Sequence, residues 1–266
     1  MSDIFFSGRK VFISVVSHGH SVMLKELNSL VKLAEKFHVV VKNNTQDSNI
    51  VSYCAESNIH LIDSDYNNGF GFNNNVVYNF CCSELDMTDK DYFLVVNPDI
   101  IISKDEVIKL IASMHENNIS AATVNLFKDV GFSISDDSIR SFPTLIDFIK
   151  SFTLGINKTK INKNTIDTKQ KVDWCAGSFM AFTASTFRKL KGFDINYFMY
   201  CEDIDICYRL KKQDLALIYF PDVRGLHIAK HNNRKIFSKH FWWHLKSVFI
   251  FTMTKNGFLK QKSNIL

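Results

Sequence analysis

The chain has six cysteines, Cys54, Cys81, Cys82, Cys175, Cys201 and Cys207, but no CxxC pair of the kind that holds zinc, and its His-x-His, His18-Gly19-His20, has no cysteine close to it in sequence. A zinc-stapled module is therefore excluded, and the thiols are expected to be buried and reduced, as in a cytosolic protein. Residues 1–9 lack the basic start, apolar stretch and small-residue cleavage site of a secretory signal. The longest apolar run near the end, residues 248–251, falls far short of the ~20 residues that a spanning helix needs. Together these absences lead to the expectation of a cytoplasmic protein. Neither an internal repeat nor an interdomain linker is visible, so repeat arrays are set aside.

What is present is ample apolar material. A chain of 266 residues that is 46% hydrophobic can fill a substantial core, which excludes disorder. The formal net charge is +5, with Lys and Arg gathered between residues 150 and 171 and again from Arg224 onward. A basic balance favours an anionic partner, whether a nucleotide, a lipid diphosphate, an acidic leaflet or nucleic acid. Nucleic acid is the least expected, because the basic residues form no recognised reading motif.

Residues 11–16 are an apolar, β-branched run typical of a buried parallel strand, ending at the turn Ser17-His18-Gly19-His20. Leu24, Leu27, Val31 and Ala34 then lie at i, i+3, i+7 and i+10 and predict one amphipathic helix. Strands are expected at 39–41, 59–62, 92–96 and 121–127, and helices at 50–55, 74–84 and around Val107, Leu110, Ile111 and Met114. This alternation predicts a mainly parallel sheet wrapped by helices, with ligands beyond the C-terminal strand ends. The polar clusters at 17–20, 42–47 and 97–99 fall there. Residues 128–171 have weak periodicity and read as surface loops and short helices, including a mobile flap. Beyond Trp174 the expected elements are an apolar segment at 179–182, helices at 185–190 and 202–212, and strands at 216–220 and 225–228.

Several residues offer chemistry, each beside an ordinary structural role. Asn97-Pro98-Asp99 puts a carboxylate just past a buried strand, where it can hold a hard divalent cation or simply make a turn. Glu202, Asp203 and Asp205 stand in a helical first turn, where the macrodipole favours acids without any catalytic purpose. Asp203 and Asp205 are two positions apart and cannot face one point, so a single carboxylate can look into a cleft while Asp205 caps or pairs elsewhere. His227, after a strand, is either a metal ligand or a structural histidine, and His18 and His20 sit in a polar turn. Trp174 can wall a sugar ring or pack in the core.

Taken in order, Ser17-His18-Gly19, Asn67-x-Gly69-Phe70, Asn97-Pro98-Asp99, Trp174-Cys175-Ala176-Gly177-Ser178-Phe179, Gly192-Phe193-Asp194, Phe198-Met199-Tyr200-x-Glu202-Asp203 and His227 to Asn233-Arg234 resemble family 2 glycosyltransferases of the GT-A fold. The likeness is greatest to rhamnosyltransferases of bacterial O-antigen and related surface polysaccharides. It covers nearly the whole chain, and its weight lies in the order of the motifs. It implies an α/β GT-A domain over residues 1–235, with a nucleotide-sugar half at 1–127 and an acceptor and catalytic half at 172–235. Residues 236–266 would form C-terminal amphipathic helices.

The resemblance also implies roles. Asp203 matches the general base, Asp99 the last acid of the DXD motif that binds Mg²⁺ or Mn²⁺, and His227 the histidine that completes the metal site in some members. Ser17, His18, Gly19, Asn43, Asn44, Gly69, Asn74, Asn97 and Asp99 fall at donor positions, and Trp174, Gly177 and Glu202 at acceptor positions. The chain departs from the family pattern twice. Asn97 replaces the first acid of DXD, and Asn43 stands where relatives usually carry an Asp for the pyrimidine base; an amide both donates and accepts.

The implied reaction is inverting transfer of L-rhamnose from dTDP-rhamnose to a GlcNAc-type sugar on polyprenyl diphosphate, with an α-1,3 link, at the cytoplasmic face of the inner membrane. A UDP-hexose or UDP-galactofuranose donor, and a silent glycan- or nucleotide-sugar-binding subunit, remain open alternatives. From Phe237 through Phe241-Trp242-Trp243 to Lys262, aromatics mix with lysines, as in an interfacial helix or a terminal helix packed on the domain.

Overall fold

The structure is a computed structural model describing residues 8–155, 157–228 and 239–266. Strand β1 (Val11–Ser17) sends Val11, Ile13 and Val15 into one cluster of buried side chains and Phe12 into another. Apolar residues on both faces are what a strand covered by helices on both sides requires. The single helix expected next is split into α1 (Ser21–Leu27) and α2 (Ser29–Ala34) at Asn28, whose φ of 49° is left-handed. Asparagine tolerates that conformation because its short polar side chain bonds locally. The break changes the buried set: Leu24, Leu30, Leu33 and Ala34 are buried, whereas Leu27 and Val31 are only half-buried.

Then come β2 (His38–Asn43), α3 (Ser48–Glu56), β3 (His60–Ile62), α4 (Phe70–Glu84), β4 (Tyr92–Val96), the short β5 (Ile100–Ile101), α5 (Lys104–Glu116) and β6 (Ala121–Phe127). Helix α5 starts where Ser103 Oγ accepts from the Glu106 N–H at 3.2 Å, with Asp105 and Glu106 against the positive helix end.

Residues 128–171 are more ordered than their composition implies. They hold β7 (Ile139–Arg140), α6 (Leu145–Leu154), a 3₁₀ turn (Lys163–Thr165) and β8 (Gln170–Val172). Helix α6 opens on a reciprocal cap between Thr144 and Asp147, a motif whose side-chain cap contributes about 1 kcal/mol. Asp136, Ser138 and Lys163 are buried, which corrects the expectation of a purely superficial segment. The chain continues through β9 (Trp174–Cys175), β10 (Phe179–Thr183), α7 (Ala184–Lys189), α8 (Glu202–Lys212), β11 (Leu217–His227) and α9 (Lys239–Lys255). The two strands expected at 216–228 are one, with its register on β6 shifted between Phe220 and Arg224, next to Pro221, which cannot donate to a ladder.

The main sheet runs β3-β2-β1-β4-β10-β6-β11-β5, with β8 also on β11. Among the described residues β1, β2, β3, β4, β6 and β11 run one way, as expected, and β5, β8 and β10 run against them. Helices α1, α2, α3 and α5 bury one face of the sheet, and α4, α7, α8 and α9 the other. Five cysteines are buried and unpaired, while Cys82 is exposed.

Helix α9 packs on α6, with Phe148 6.4 Å from the Phe251 ring, and Ser247 Oγ donates to Met199 O at 2.8 Å. The tail beyond α9 is tied to the domain: Lys262 O accepts from the Ile195 N–H at 3.0 Å, and Asn75 Nδ2 donates to Asn264 Oδ1 at 2.8 Å. No helix among the described residues is long and apolar enough to cross a membrane. Asn233-Arg234, Phe237 and the boundary expected near residue 235 lie outside the described residues.

Candidate active site

Strand β10 joins the two halves of the site. Because it is antiparallel to β4, its first residue pairs with the last of β4, Phe179 with Val96. The residues before Phe179 therefore lie against those after Val96, and the Asn97 N–H donates to Ser178 O at 2.9 Å. One position earlier, the Gly177 N–H donates to Asp203 Oδ2 at 3.2 Å, while Asp203 Oδ1 accepts from the Ile204 N–H at 2.9 Å. The Asn97-Pro98-Asp99 turn and Asp203, remote in sequence, are thus one residue apart along β10's leading segment. A Cβ on Gly177 would stand 3.0 Å from the Phe70 ring, so that passage admits only glycine without a shift.

The entry to α8 is strained. Tyr200 and Cys201 have φ of 72° and 64°, a conformation that costs a non-glycine residue about 1–3 kcal/mol and gathers at functional sites. It places Glu202 and Asp203 at the start of the helix. Burial, with the neighbouring Asp203 carboxylate adding to it, pushes Glu202 up to about 8. Burial also raises Asp203, against the opposing bonds from Gly177 and Ile204. Both shifts make the carboxylate a stronger proton acceptor than an ordinary exposed one. Asp205 points elsewhere, as helical geometry requires, and is buried against Arg209 Nε at 2.7 Å.

At the opposite side, His227 ends β11 beside Ile100 of β5. Its Nε2 stands 3.4 Å from Asp99 Oδ2, and its Nδ1 lies 2.9 Å from Asp136 Oδ2. Burial would lower the imidazole, but the hydrogen bonds and charge of Asp136 and Asp99 outweigh it and raise His227 to about 9. Asp136 is likewise opposed by burial, yet its bonds from His227 and Lys163 hold it well below the usual carboxylate range. Asp99 Oδ1 is buried without a hydrogen-bond partner, as are Ser178 Oγ and Glu202 Oε2. A carboxylate with one oxygen lacking a partner and the other facing an imidazole nitrogen fits a divalent cation held by Asp99 and His227. No group of three or more His, Cys, Asp or Glu disposed around an ion occurs among the described residues. Further coordination positions would therefore fall to water or to a bound phosphate.

The remaining donor positions line the ends of β1 and β2. Asn44 fastens three loops: its N–H donates to Ser17 O at 2.7 Å, its Nδ2 lies 3.2 Å from His18 Nδ1 and donates to Asn68 O at 2.9 Å. Ser17 is buried and accepts from the His20 N–H, and Gly19 has a φ of +75° suited to glycine. Gly69 lies so close to Phe198 that an added Cβ would stand 2.9 Å from its Cα. Asn43 is buried with its amide engaged: Nδ2 donates to Asp63 Oδ1 at 2.7 Å.

Two donor and acceptor candidates turn inward. Asn74 is fully buried in α4, accepting from Ser14 Oγ at 2.7 Å and donating to Phe70 O at 3.0 Å. Trp174 is only 7% exposed, belongs to the core, and donates from Nε1 to Ser141 O at 2.8 Å. Sequence reasoning passed over Asp136, Lys163 and Asp63. Asp136 and Lys163 lie in the aperiodic segment, and their only signal is an acid and a base 27 positions apart whose pairing is tertiary.

Protein-family profiles give no match to the chain. It is 41% identical over 249 residues to the rhamnosyltransferase WbbL of Escherichia coli K12, covering 92% of this chain and 93% of that protein. It is 29% identical over 174 residues to the N-acetylglucosaminyl-diphospho-decaprenol L-rhamnosyltransferase of Mycobacterium tuberculosis, covering 63% of this chain and 56% of that protein. Among solved structures, S. aureus TarS 1-349 in complex with UDP-GlcNAc superposes with a TM-score of 0.58 at 15% identity, over 92% of this chain and 66% of that one. GalNAc-T7 with UDP, GalNAc and Mn²⁺ gives 0.56 at 12% identity, over 83% of this chain and 44% of that one. These two share the fold alone. With a WbbL-type relative matched over 92% of this chain and the GT-A fold around the site, the chain belongs to the rhamnosyltransferases among the GT-A glycosyltransferases.

Proposed function

We propose that the chain transfers L-rhamnose from dTDP-rhamnose to a GlcNAc-type sugar on a polyprenyl diphosphate, forming an α-1,3 link in O-antigen or related lipopolysaccharide synthesis. The observation behind the mechanism is the Asp203 carboxylate, fixed by the Gly177 N–H beside the Asn97-Asp99 turn. Asp203 accepts the proton of the acceptor hydroxyl as that oxygen bonds to the anomeric carbon. The bond from that carbon to the diphosphate oxygen breaks, and the nucleoside diphosphate leaves with its electron pair. One displacement inverts the centre, so a single base suffices, contributing about 10²–10⁴-fold. Asp99 and His227 would hold Mg²⁺ or Mn²⁺, which when bound neutralises the leaving diphosphate. Glu202 and Gly177 shape the acceptor side, and Ser17, His18, Gly19, Asn43 and Asn44 the donor side.

A lipid-linked acceptor calls for a membrane-facing surface, and α6 with α9 supplies one of suitable chemistry. Leu145, Ile146, Ile149 and Leu154 on α6 are exposed, as are Trp242 and Phe249 on α9. Lys150, Lys158, Lys239 and Lys246 are exposed among them, and residues 239–266 contain no Asp or Glu. Apolar side chains mixed with lysines suit an anionic leaflet, at the cytoplasmic face of the inner membrane.

The test is turnover of purified protein with a GlcNAc-diphosphate lipid and a panel of nucleotide sugars. Rhamnose transfer from dTDP-rhamnose, abolished by Asp203→Asn with dTDP binding retained, is the expected result. Preference for a UDP-sugar would overturn the donor, and unchanged turnover by the variant would remove Asp203 from the chemistry.

A further inference from the structure

We propose that Asp136, held in place by Lys163, is the positioning residue that sets the His227 ring for metal ligation; the inference rests on the metal reading of Asp99 and His227. An imidazole ligates only through a nitrogen that carries no proton, and the partner of its other nitrogen decides which one that is. The ionised Asp136 can only accept, so its Oδ2, 2.9 Å from Nδ1, keeps the proton on Nδ1. Nε2, the nitrogen facing Asp99 at 3.4 Å, is then the one that would give up its proton to ligate a metal.

Asp136 is itself immobilised. Its backbone N–H donates to Leu126 O at 2.9 Å, and its Oδ1 accepts from Lys163 Nζ at 2.5 Å and from the Ser138 N–H at 3.0 Å. Lys163 is committed in turn, with Nζ also donating to Ser138 Oγ at 2.8 Å and Leu126 O at 3.3 Å, so all three of its protons are engaged. The two side chains are 5% and 1% exposed, which keeps competing water away. With Oδ1 taken by Lys163 and Ser138 and Oδ2 by His227, Asp136 stands behind the ring and orients the ligand without replacing it.

The experiment is a Mn²⁺ titration followed by electron paramagnetic resonance, in the presence of saturating dTDP, on wild type, Asp136→Asn and Asp136→Ala. We expect Mn²⁺ affinity to fall by about 10-fold in the Asn variant and up to about 100-fold in the Ala variant, the usual range for an outer partner of a metal ligand. Circular dichroism and affinity for dTDP without metal should stay as in wild type. Affinities within twofold of wild type would overturn the positioning role while leaving the metal site standing. No Mn²⁺ binding by wild type would remove the metal reading, and this inference with it. A second measurement needs no Asp136 variant: nitrogen NMR of ¹⁵N-histidine-labelled wild type with Mg²⁺ and dTDP, the His227 signals assigned by their loss in His227→Gln. A proton on Nδ1 is expected; a proton on Nε2 in that complex would refute the assignment.

Discussion

Glu202→Gln should make the protein more stable and a worse enzyme. Glu202 is 6% exposed, one of its oxygens has no partner, and burial raises it from an ordinary 4.5 to about 8. Between those two values the folded state holds a proton that the unfolded chain releases. Stability is therefore fully present below pH 4.5 and lost as pH rises toward 8, by about 1.4 kcal/mol per pH unit. Glutamine has the same shape and no such loss. At pH 7 the variant should be more stable by ~3 kcal/mol, since pH 7 lies about 2.5 pH units above the unfolded value. Below pH 4.5 the two proteins should converge. Urea unfolding of both at pH 4.5, 6, 7 and 8 measures this, and taking the difference cancels the titrating groups that do not interact with Glu202, His227 included. Transfer assays on the same samples should show acceptor binding weakened in the variant, a case of function held against stability. An equal or lower stability of the variant at pH 7, or a difference that does not grow with pH, would refute the reasoning.

Gly69→Ala forces a Cβ into the Phe198 backbone, which cannot swing away as a side-chain tip can, so urea unfolding should show a loss of about 1–3 kcal/mol. A stability unchanged from wild type would mean that the loop after Gly192 yields easily. In sedimentation with phosphatidylglycerol vesicles, wild type should pellet at low salt and be released as ionic strength rises. Exchanging Trp242 and Phe249 for serine should weaken that binding, and protein that stays in the supernatant would dismiss the α6–α9 surface.

Local pattern in the sequence determined the alternation of strands and helices from Val11 to Phe127, the placing of Asn97-Pro98-Asp99 just past β4, and the separation of Asp203 from Asp205 around α8. Each depends on periodicity or a cap within a single element, where side-chain direction follows from backbone geometry alone. Tertiary structure decided the rest. Asn28 breaks a pattern that reads as continuous, because one left-handed residue leaves no periodic trace. That β10 runs against β4, and so brings Gly177 and Asp203 to Asn97, depends on strand pairing between residues more than 80 positions apart. The burial of Trp174 and Asn74, and the Asp136–Lys163 pair behind His227, likewise follow from which surfaces meet. The sequence thus supplied the chemical groups in order, and only packing could choose those that face the cleft.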